Sequence, residues 1–363
     1  VPVNQALHHE EIGYILRRCG AKLLLFSRCT RALVLKATEG IRHLPQLRVA
    51  LGQEERFHPE DAEDVWSLTA AAVDPSVVPY AGAADDDPIA VLFTSGTSGR
   101  PKGVVRTIRT DFGNALAFNE FMGFGTDVRM LHIWPMAYST GLMNTFVAPW
   151  MCGGSVVLAE AFTAQTILNF WKPAIDHGVN ALWLSPTMMA SMVRLDRDRR
   201  GIAYCRENIR TVCVGTAPMP LKLKRQFEEV YGTEPLESFG LSELMIVSSN
   251  TPSRPRLDHA VGYLLPGVEC RFKGDGGPGA AVEEGEIEVR TPFAMHGYFD
   301  LETQSITPLT PGTWFSTGDV GHLDAGGALY ITGRKKDLII RGGQNLSRSE
   351  EHTSELQSRF GIS

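Results

Sequence analysis

Between Val91 and Val105 the chain reads VLFTSGTSGRPKGVV, an apolar run that opens into a loop of hydroxyls and glycines closed by one lysine. Thr94, Ser95, Thr97 and Ser98 supply hydroxyl groups and Lys102 a positive charge. Gly96, Gly99 and Gly103 permit backbone conformations in which several N–H groups converge. Such a set neutralises a polyphosphate. Pro101 stands where a Walker loop needs glycine before its lysine, and the dinucleotide G-x-G-x-x-G pattern is absent, so neither of those motifs accounts for the loop. A flexible linker is the plainer reading of the same Gly and Ser cluster.

Later residues have the chemistry to complete a nucleotide site. Phe239, in SFGLSEL, is a flat ring able to stack on a base, and Glu243 offers carboxylate oxygens suited to a hard cation such as Mg²⁺. Asp319, in STGDVG, is expected in a turn, where its carboxylate can accept from both hydroxyls of a ribose. An isolated glutamate is equally well a solvated surface charge, and a T-G-D triplet equally well an Asx turn. GTAPMP, beginning at Gly215, follows a short apolar run, and open α/β sheets bind ligands beyond the carboxyl ends of their strands. A tight turn would also explain Gly215 and Pro218.

In order along the chain, TSGTSGRPKG, GTAPMP, SFGLSEL, STGDVG and GRKKDLIIRGGQN resemble the motifs of the adenylate-forming superfamily, which holds acyl-CoA synthetases, luciferases and the adenylation domains of peptide synthetases. The resemblance runs from the start of the chain to about Ser347, and acyl-CoA synthetases are its nearest branch. It implies that residues from Thr94 to Gly99, with Lys102, hold the phosphates of ATP. Gly215, Thr216, Ala217, Phe239, Gly240 and Ser242 would line the adenine and acyl pocket, and Glu243 would hold Mg²⁺. Asp319 and Arg334 would grip the ribose, and Lys336 would be the hinge of a small C-terminal domain. Lys102, Thr94, Glu243 and Arg334 are the residues it places in catalysis. Phe239 and Ser242 stand where the family usually has tyrosine and threonine, so a flat ring and a hydroxyl are kept.

The segment HIWPMAYSTGLMNTF would face the acyl substrate, with Tyr138, Gly141 and Gly215 in its pocket. Many members have histidine where Tyr138 stands. Amino-acid-activating relatives often carry an aspartate in this region, and none occurs between Leu131 and Trp150. A substrate ammonium would be left unpaired at real cost, so an acid without an α-amino group is expected. Leu142, Met143, Trp183 and Met188 suggest a fatty or aryl chain. Trp134 and Met136 are as well explained by core packing.

The elements that must position these residues follow from periodicity. Ile12, Ile15 and Leu16 have helical spacing within Glu10 to Arg18, Gly20 ends that helix, and Lys22 to Phe26 reads as a strand. Ile89 to Phe93 reads as a buried strand feeding the loop, after a surface connection from Asp74 to Pro88. Arg109 to Met122 is helical, Val179 to Leu184 and Thr211 to Val214 are buried strands, and Thr187 is placed to cap a helix over Met188 to Leu195. Strands alternating with helices predict an α/β fold with mainly parallel sheets layered with helices. Beyond Asn250, VGYLLPGVECRF, GEIEVR and GALYIT predict a small antiparallel, barrel-like subdomain. Gly141 to Ala159 has the length of a membrane span, but Asn144, Pro149 and the Gly153-Gly154 pair interrupt it, so a buried helix, a turn and a strand explain it better.

The 363 residues suffice for two or three domains, and 43% hydrophobic content supports a sizeable core. A net charge of -6 with both signs interspersed gives no basic footprint for nucleic acid. Cys19, Cys29, Cys152, Cys205, Cys213 and Cys270 form no C-x-x-C pair and read as core thiols of a cytoplasmic protein. The charged cluster from Arg194 reads as an exposed helix end. The expected organisation is an adenylation core over residues 1–332, the hinge and the beginning of a C-terminal domain over 333–347, and an appended tail over 348–363, where RSEEHTSELQS resembles a translated sequencing adapter.

The resemblance implies ATP-dependent activation of a carboxylic acid to acyl-AMP, then thioester formation with coenzyme A, with ATP and Mg²⁺ required. The lysine that the family places late in its C-terminal domain is missing from these residues, so the chain alone is expected to adenylate poorly. An acyl carrier protein is the alternative acceptor, because its pantetheine presents the same thiol arm. A non-catalytic nucleotide-binding module is a second alternative; a P-loop-type hydrolase, a third, is disfavoured by Pro101 and by the lack of Ser or Thr after Lys102.

Overall fold

The computed structural model describes residues 1–39, 46–50, 63–64, 82–94, 102–163, 165–197, 199–274, 284–335, 338–341 and 344–347. Ser95, Gly96, Thr97, Ser98, Gly99, Lys336 and the tail 348–363 lie outside the described residues. The chain divides into two units, Val1–Ile108 with His296–Leu309, and Arg109–Met295 with Thr310–Ser363.

In the first unit, helix α1 (His9–Arg18) buries Ile12, Ile15 and Leu16, the face its spacing predicts, and Gly20 turns the chain away at φ +62°. Strand β1 (Leu23–Ser27) pairs in parallel with β2 (Gln46–Ala50), and β2 with β3 (Glu63–Asp64); α2 (Arg31–Thr38) connects the first two. A second sheet contains β4 (Pro88–Thr94) and β5 (Lys102–Thr107), antiparallel, with Thr94 opposite Lys102. Two strands from later in the chain, Gly297–Asp300 (β15) and Ser305–Pro308 (β16), extend it in the order β16-β15-β5-β4. The sequence reading of Ile89 to Phe93 as a buried strand needs correction: it is a strand, but Ile89 is 45% exposed and Leu92 alone of the five is buried. Its place at the edge of an antiparallel sheet is the reason, since such a strand needs only one covered face.

The second unit is built on an eleven-stranded sheet. Its strands are β6 (Arg129–His132), β7 (Ser155–Leu158), β8 (Ala181–Leu184), β9 (Thr211–Val214), β10 (Pro235–Leu241), β11 (Met245–Ser249), β12 (Ala260–Leu264), β13 (Glu269–Lys273), β14 (Gly285–Arg290), β17 (Phe315–Leu323) and β18 (Ala328–Arg334). The spatial order is β13-β14-β17-β18-β12-β11-β10-β9-β8-β6-β7. From β10 through β9, β8 and β6 to β7 every pairing is parallel, and from β10 in the other direction every pairing is antiparallel. The fold is therefore α/β with a mixed sheet, and the antiparallel strands foreseen beyond Asn250 continue the parallel sheet. A hairpin of β19 (Leu338–Arg341) and β20 (Gln344–Ser347) follows.

The central parallel strands β8 and β9 are buried at every position because both faces are covered. Along β8, Ala181 and Trp183 point into one core with α3 (Asn114–Met122) and α4 (Ala148–Met151), while Leu182 and Leu184 point into another with α5 (Trp171–Asp176), α6 (Pro186–Leu195), α7 (Arg199–Asn208) and α8 (Leu221–Tyr231). Gly141 to Ala159 is, as expected, a helical stretch, a turn and a strand; among the described residues no helix is long and apolar enough to cross a membrane.

Three local expectations are overturned. The cap of α6 is Ser185, whose Oγ accepts from Met188 N at 3.1 Å, and not Thr187; Pro186 suits the first helical position, which moves the start of the helix forward. In the cluster read as an exposed helix end, Arg194, Arg197, Arg199 and Arg200 are exposed as read, but Asp196 is 8% exposed and accepts from Trp171 Nε1 and Tyr231 Oη, both at 2.8 Å. Cys29 is exposed, whereas Cys205 and Cys213 are the buried core thiols predicted.

Candidate active site

The site of interest forms where the sheet changes sense. Strand β10 pairs in parallel with β9 through Pro235, Leu236 and Glu237, and antiparallel with β11 from Ser238 to Leu241, with a break in register between Phe239 and Gly240. A side chain on Gly240 would begin 2.1 Å from the Met245 carbonyl oxygen, so only glycine lets the two backbones approach this closely. Asn114 of α3 holds the partner strand from behind: its Nδ2 donates to Ile246 O at 2.9 Å and its Oδ1 accepts from Ile246 N at 3.2 Å. Two non-glycine residues at the seam adopt left-handed backbone, Thr216 at φ +75° and Met245 at φ +65°. Such conformations are costly and cluster at ligand sites.

A cavity of about 360 Å³ opens at this seam. Gly215 and Thr216 reach it from the end of β9, and Phe239, Gly240 and Ser242 from β10 and the turn after it. Trp134, Tyr138 and Ser139 enter from the loop after β6, Thr140 and Asn144 from the wide helical turns of Thr140–Val147, and Trp183 from β8. Trp134 Nε1 donates to the Trp183 carbonyl at 2.7 Å, and Ser139 Oγ to Ser242 Oγ at 3.3 Å. Parallel strands ending at a change of sheet sense leave a crevice of this kind.

The cavity collects Tyr138, Gly215, Thr216, Phe239, Gly240 and Ser242 from the residues picked out in sequence. Gly141 and Ala217 are not in its lining. Gly141 is buried in its helix, where a side chain would begin 2.1 Å from the Pro135 carbonyl oxygen, so close packing accounts for it. Ala217 is exposed. Of the apolar neighbours named for the acyl chain, Trp183 lines the cavity, while Met143 and Met188 pack into the two cores. Ser139, Thr140 and Asn144 lie in the segment expected to face the substrate but were not singled out, and the supporting Asn114 was missed, because polar residues in a loop or a helix show nothing in sequence of which side faces a crevice.

Glu243, next to Ser242, is half-buried in the turn between β10 and β11, and its carbonyl accepts from Met295 N at 2.7 Å. Among the described residues no group of three or more His, Cys, Asp or Glu side chains gathers as a metal site. Glu243 is not in the cavity lining, and its carboxylate is an oxygen donor next in sequence to the lining Ser242. It suits Mg²⁺, which commonly takes one or two protein carboxylates together with phosphate oxygens.

Asp319 and Arg334 face each other directly across β17 and β18, and Arg334 Nε donates to Asp319 Oδ1 at 2.8 Å. Asp319 thus sits within a strand, contrary to the turn expected of T-G-D; Gly318 at φ +77° absorbs the bend, and Thr317 Oγ1 accepts from Asp319 N at 3.1 Å. The Asp319 side chain is 4% exposed, and its Oδ2 is buried with no partner among the described residues. Burial pushes its carboxyl above the ordinary range, against the pull of Arg334. The pair can fix a carboxylate and leave one oxygen to accept hydroxyl donors.

Lys102 belongs to the first unit, at the start of β5, exposed, with Nζ 5.3 Å from the centre of the Tyr298 ring. Thr94 ends β4. The intervening loop lies outside the described residues.

A family model described as AMP-binding enzyme matches residues 1–299. The chain is similar to a sulfoacetate–CoA ligase of Cupriavidus necator, 32% identical over 269 residues, covering 73% of this chain and 51% of that protein. It is similar to a 2-succinylbenzoate–CoA ligase of Bacillus velezensis, 32% identical over 279 residues, covering 75% of this chain and 54% of that protein. Among solved structures it resembles ATP-bound MatB from Rhodopseudomonas palustris, with a TM-score of 0.78 and 25% identity over 99% of this chain and 68% of the other. The chain spans about half the length of these curated relatives.

Proposed function

We propose, from the premise that the chain belongs to the AMP-binding enzyme family, that the whole protein activates a carboxylic acid with ATP. The carboxylate attacks the α-phosphorus, giving an acyl-adenylate and pyrophosphate. Coenzyme A then takes the acyl group as a thioester. Similarity to two CoA ligases supports an acid–thiol ligase of the AMP-forming type.

The observation that carries this reading is Asp319, whose one oxygen is fixed by Arg334 and whose other is a buried acceptor with no protein partner among the described residues. Ribose hydroxyls are donors that would satisfy it. In this reading Phe239 offers its ring to adenine, and the cavity at the seam takes a fatty or aryl acid. Thr94, Ser95, Gly96, Thr97, Ser98, Gly99 and Lys102 hold the phosphates, with Lys336 as the hinge. Glu243 would hold Mg²⁺, which when bound offsets charge on the departing pyrophosphate. The protein's own contribution is positioning and fixed electrostatics, since phosphoryl-type transfer asks for little covalent work. Free thiols fit a reducing compartment such as the cytoplasm.

The test is acid-dependent exchange of pyrophosphate into ATP by the whole protein over a broad acid panel. Exchange is expected with some acids, and Asp319→Ala is expected to lower it roughly 10²-fold, the scale of losing one preorganised polar contact in an active site. No exchange with any acid would end the proposal. Supplying coenzyme A or an acyl carrier protein as acceptor decides which thiol is used.

A further inference from the structure

The cavity at the seam is uncharged. Among the described residues fifteen line it, and none of these is Lys, Arg, His, Asp or Glu. Four are aromatic, Trp134, Tyr138, Trp183 and Phe239, and seven carry a hydroxyl or amide, among them Tyr138, Asn144, Thr140 and Ser238. A second anionic group on a substrate would lose its water here without gaining a cation from the described lining. At about 360 Å³ the space lies near the lower end of ligand pockets, which run from roughly 300 to 1,000 Å³. The four aromatic side chains of its lining offer flat faces to a ring.

One buried donor in this lining is unspent. Trp183 is 2% exposed, and its indole Nε1 has no hydrogen-bond partner among the described residues. The nitrogen stands 3.8 Å from the point where a side chain on Gly215 would begin, and Gly215 is itself part of the lining. An indole N–H only donates, so what completes it must accept.

We infer that the acid is a ring-bearing monocarboxylic acid carrying an uncharged hydrogen-bond acceptor, an ether, hydroxyl or carbonyl oxygen, that takes the N–H of Trp183. This rests on the reading of the cavity as the acid site, and it selects the aryl arm of that reading over the fatty one and over dianionic acids. A site that presents a buried donor discriminates strongly against a ligand without the matching acceptor, because the donor is then left unpaired.

The test uses the chain with AMP present and measures binding of the 2-, 3- and 4-methoxybenzoates, the matching toluates, octanoate and malonate, by calorimetry. At least one methoxybenzoate is expected to bind about tenfold more tightly than its toluate twin, octanoate and malonate, and Trp183→Phe is expected to reduce the methoxy-to-methyl ratio to about one. The wild-type protein gives a second readout that does not depend on the variant folding. One of its six indole N–H resonances should move downfield with the methoxybenzoate and not with the toluate. Its assignment comes from Trp183→Phe or, if that variant does not fold, by elimination through the other five Trp→Phe variants.

Octanoate or malonate binding as tightly as the best ring acid, no acid binding, an unmoved indole resonance, or a methoxy preference that survives Trp183→Phe would each overturn the inference. Loss of AMP binding, measured first, would count against the nucleotide reading instead. Acid selectivity without AMP binding would leave this inference standing alone.

Discussion

Asp319 is under two opposed pulls. Burial disfavours its charge and Arg334 favours it; burial prevails, because the Arg334 side chain is 68% exposed and water screens its attraction. A carboxyl raised in the folded state binds its proton more tightly there than in the unfolded chain. Its stabilising contribution is full below the unfolded value near 3.9 and is lost as the pH climbs through the folded one. Asp319→Asn, which keeps an acceptor for Arg334, should therefore melt higher than the wild type at pH 7, by roughly 2–4 °C for each kcal/mol recovered, with the gap closing in acid. The same variant should bind AMP about tenfold more weakly. A variant that melts lower at pH 7 would show that the charge stabilises the fold. The residue type and its motif were legible in sequence. Its seat in a strand was not, because T-G-D carries turn chemistry and only the pairing of β17 with β18 overrides it.

Strand β10 is the element on which the site depends, and a buried ion pair braces it. Lys224 of α8, 1% exposed, donates through Nζ to Glu237 Oε1 at 2.6 Å, and Asn250 N donates to the Glu237 carbonyl at 2.7 Å. Lys224→Met would leave the Glu237 carboxylate buried without its cation, a loss of about 3–5 kcal/mol, while Lys224→Met with Glu237→Leu should lose much less, since the desolvation penalty goes with the pair. Urea denaturation of both single variants and the double variant measures this, and a double-variant loss equal to the sum of the two single losses would mean that the pair is not coupled. Nothing in LKLKRQFEEVY distinguishes Lys224 from the exposed lysine at position 222, because helical spacing predicts an apolar face and a cation on it reads as an interruption. The helices and parallel strands themselves were legible, since their periodicity is set by which faces are covered. The cap of α6 was misread because Ser185 and Thr187 are both capping residues, and Pro186 decides between them by geometry.

For the whole molecule, the division into two faces covered by helices also sets the chemistry of the thiols. Burial pushes the Cys205 thiol up to about 11 and raises Cys213 as well, whereas Cys29 is exposed. Because the thiolate is the reactive form, iodoacetamide on the native protein should label Cys29 first and spare Cys205 and Cys213 until denaturant is added. Labelling of Cys213 as fast as Cys29 in native buffer would contradict the double-sided burial of β9. Treating the cysteines as one class in sequence worked for Cys205 and Cys213, held only in part for the half-buried Cys19, Cys152 and Cys270, and failed for Cys29, whose turn has no periodicity to report burial.

The sequence by itself determined the family resemblance, the α/β alternation and the residue types a nucleotide site needs, because those are local properties of composition and spacing. Only the tertiary structure decided that the antiparallel strands continue the parallel sheet, that Phe239 and Gly240 stand at the seam between them, and that Trp183 holds a buried donor there. Each depends on residues far apart in the chain meeting across a sheet. No local pattern records which strand becomes the neighbour of which, nor whether an indole N–H in an apolar run finds a partner.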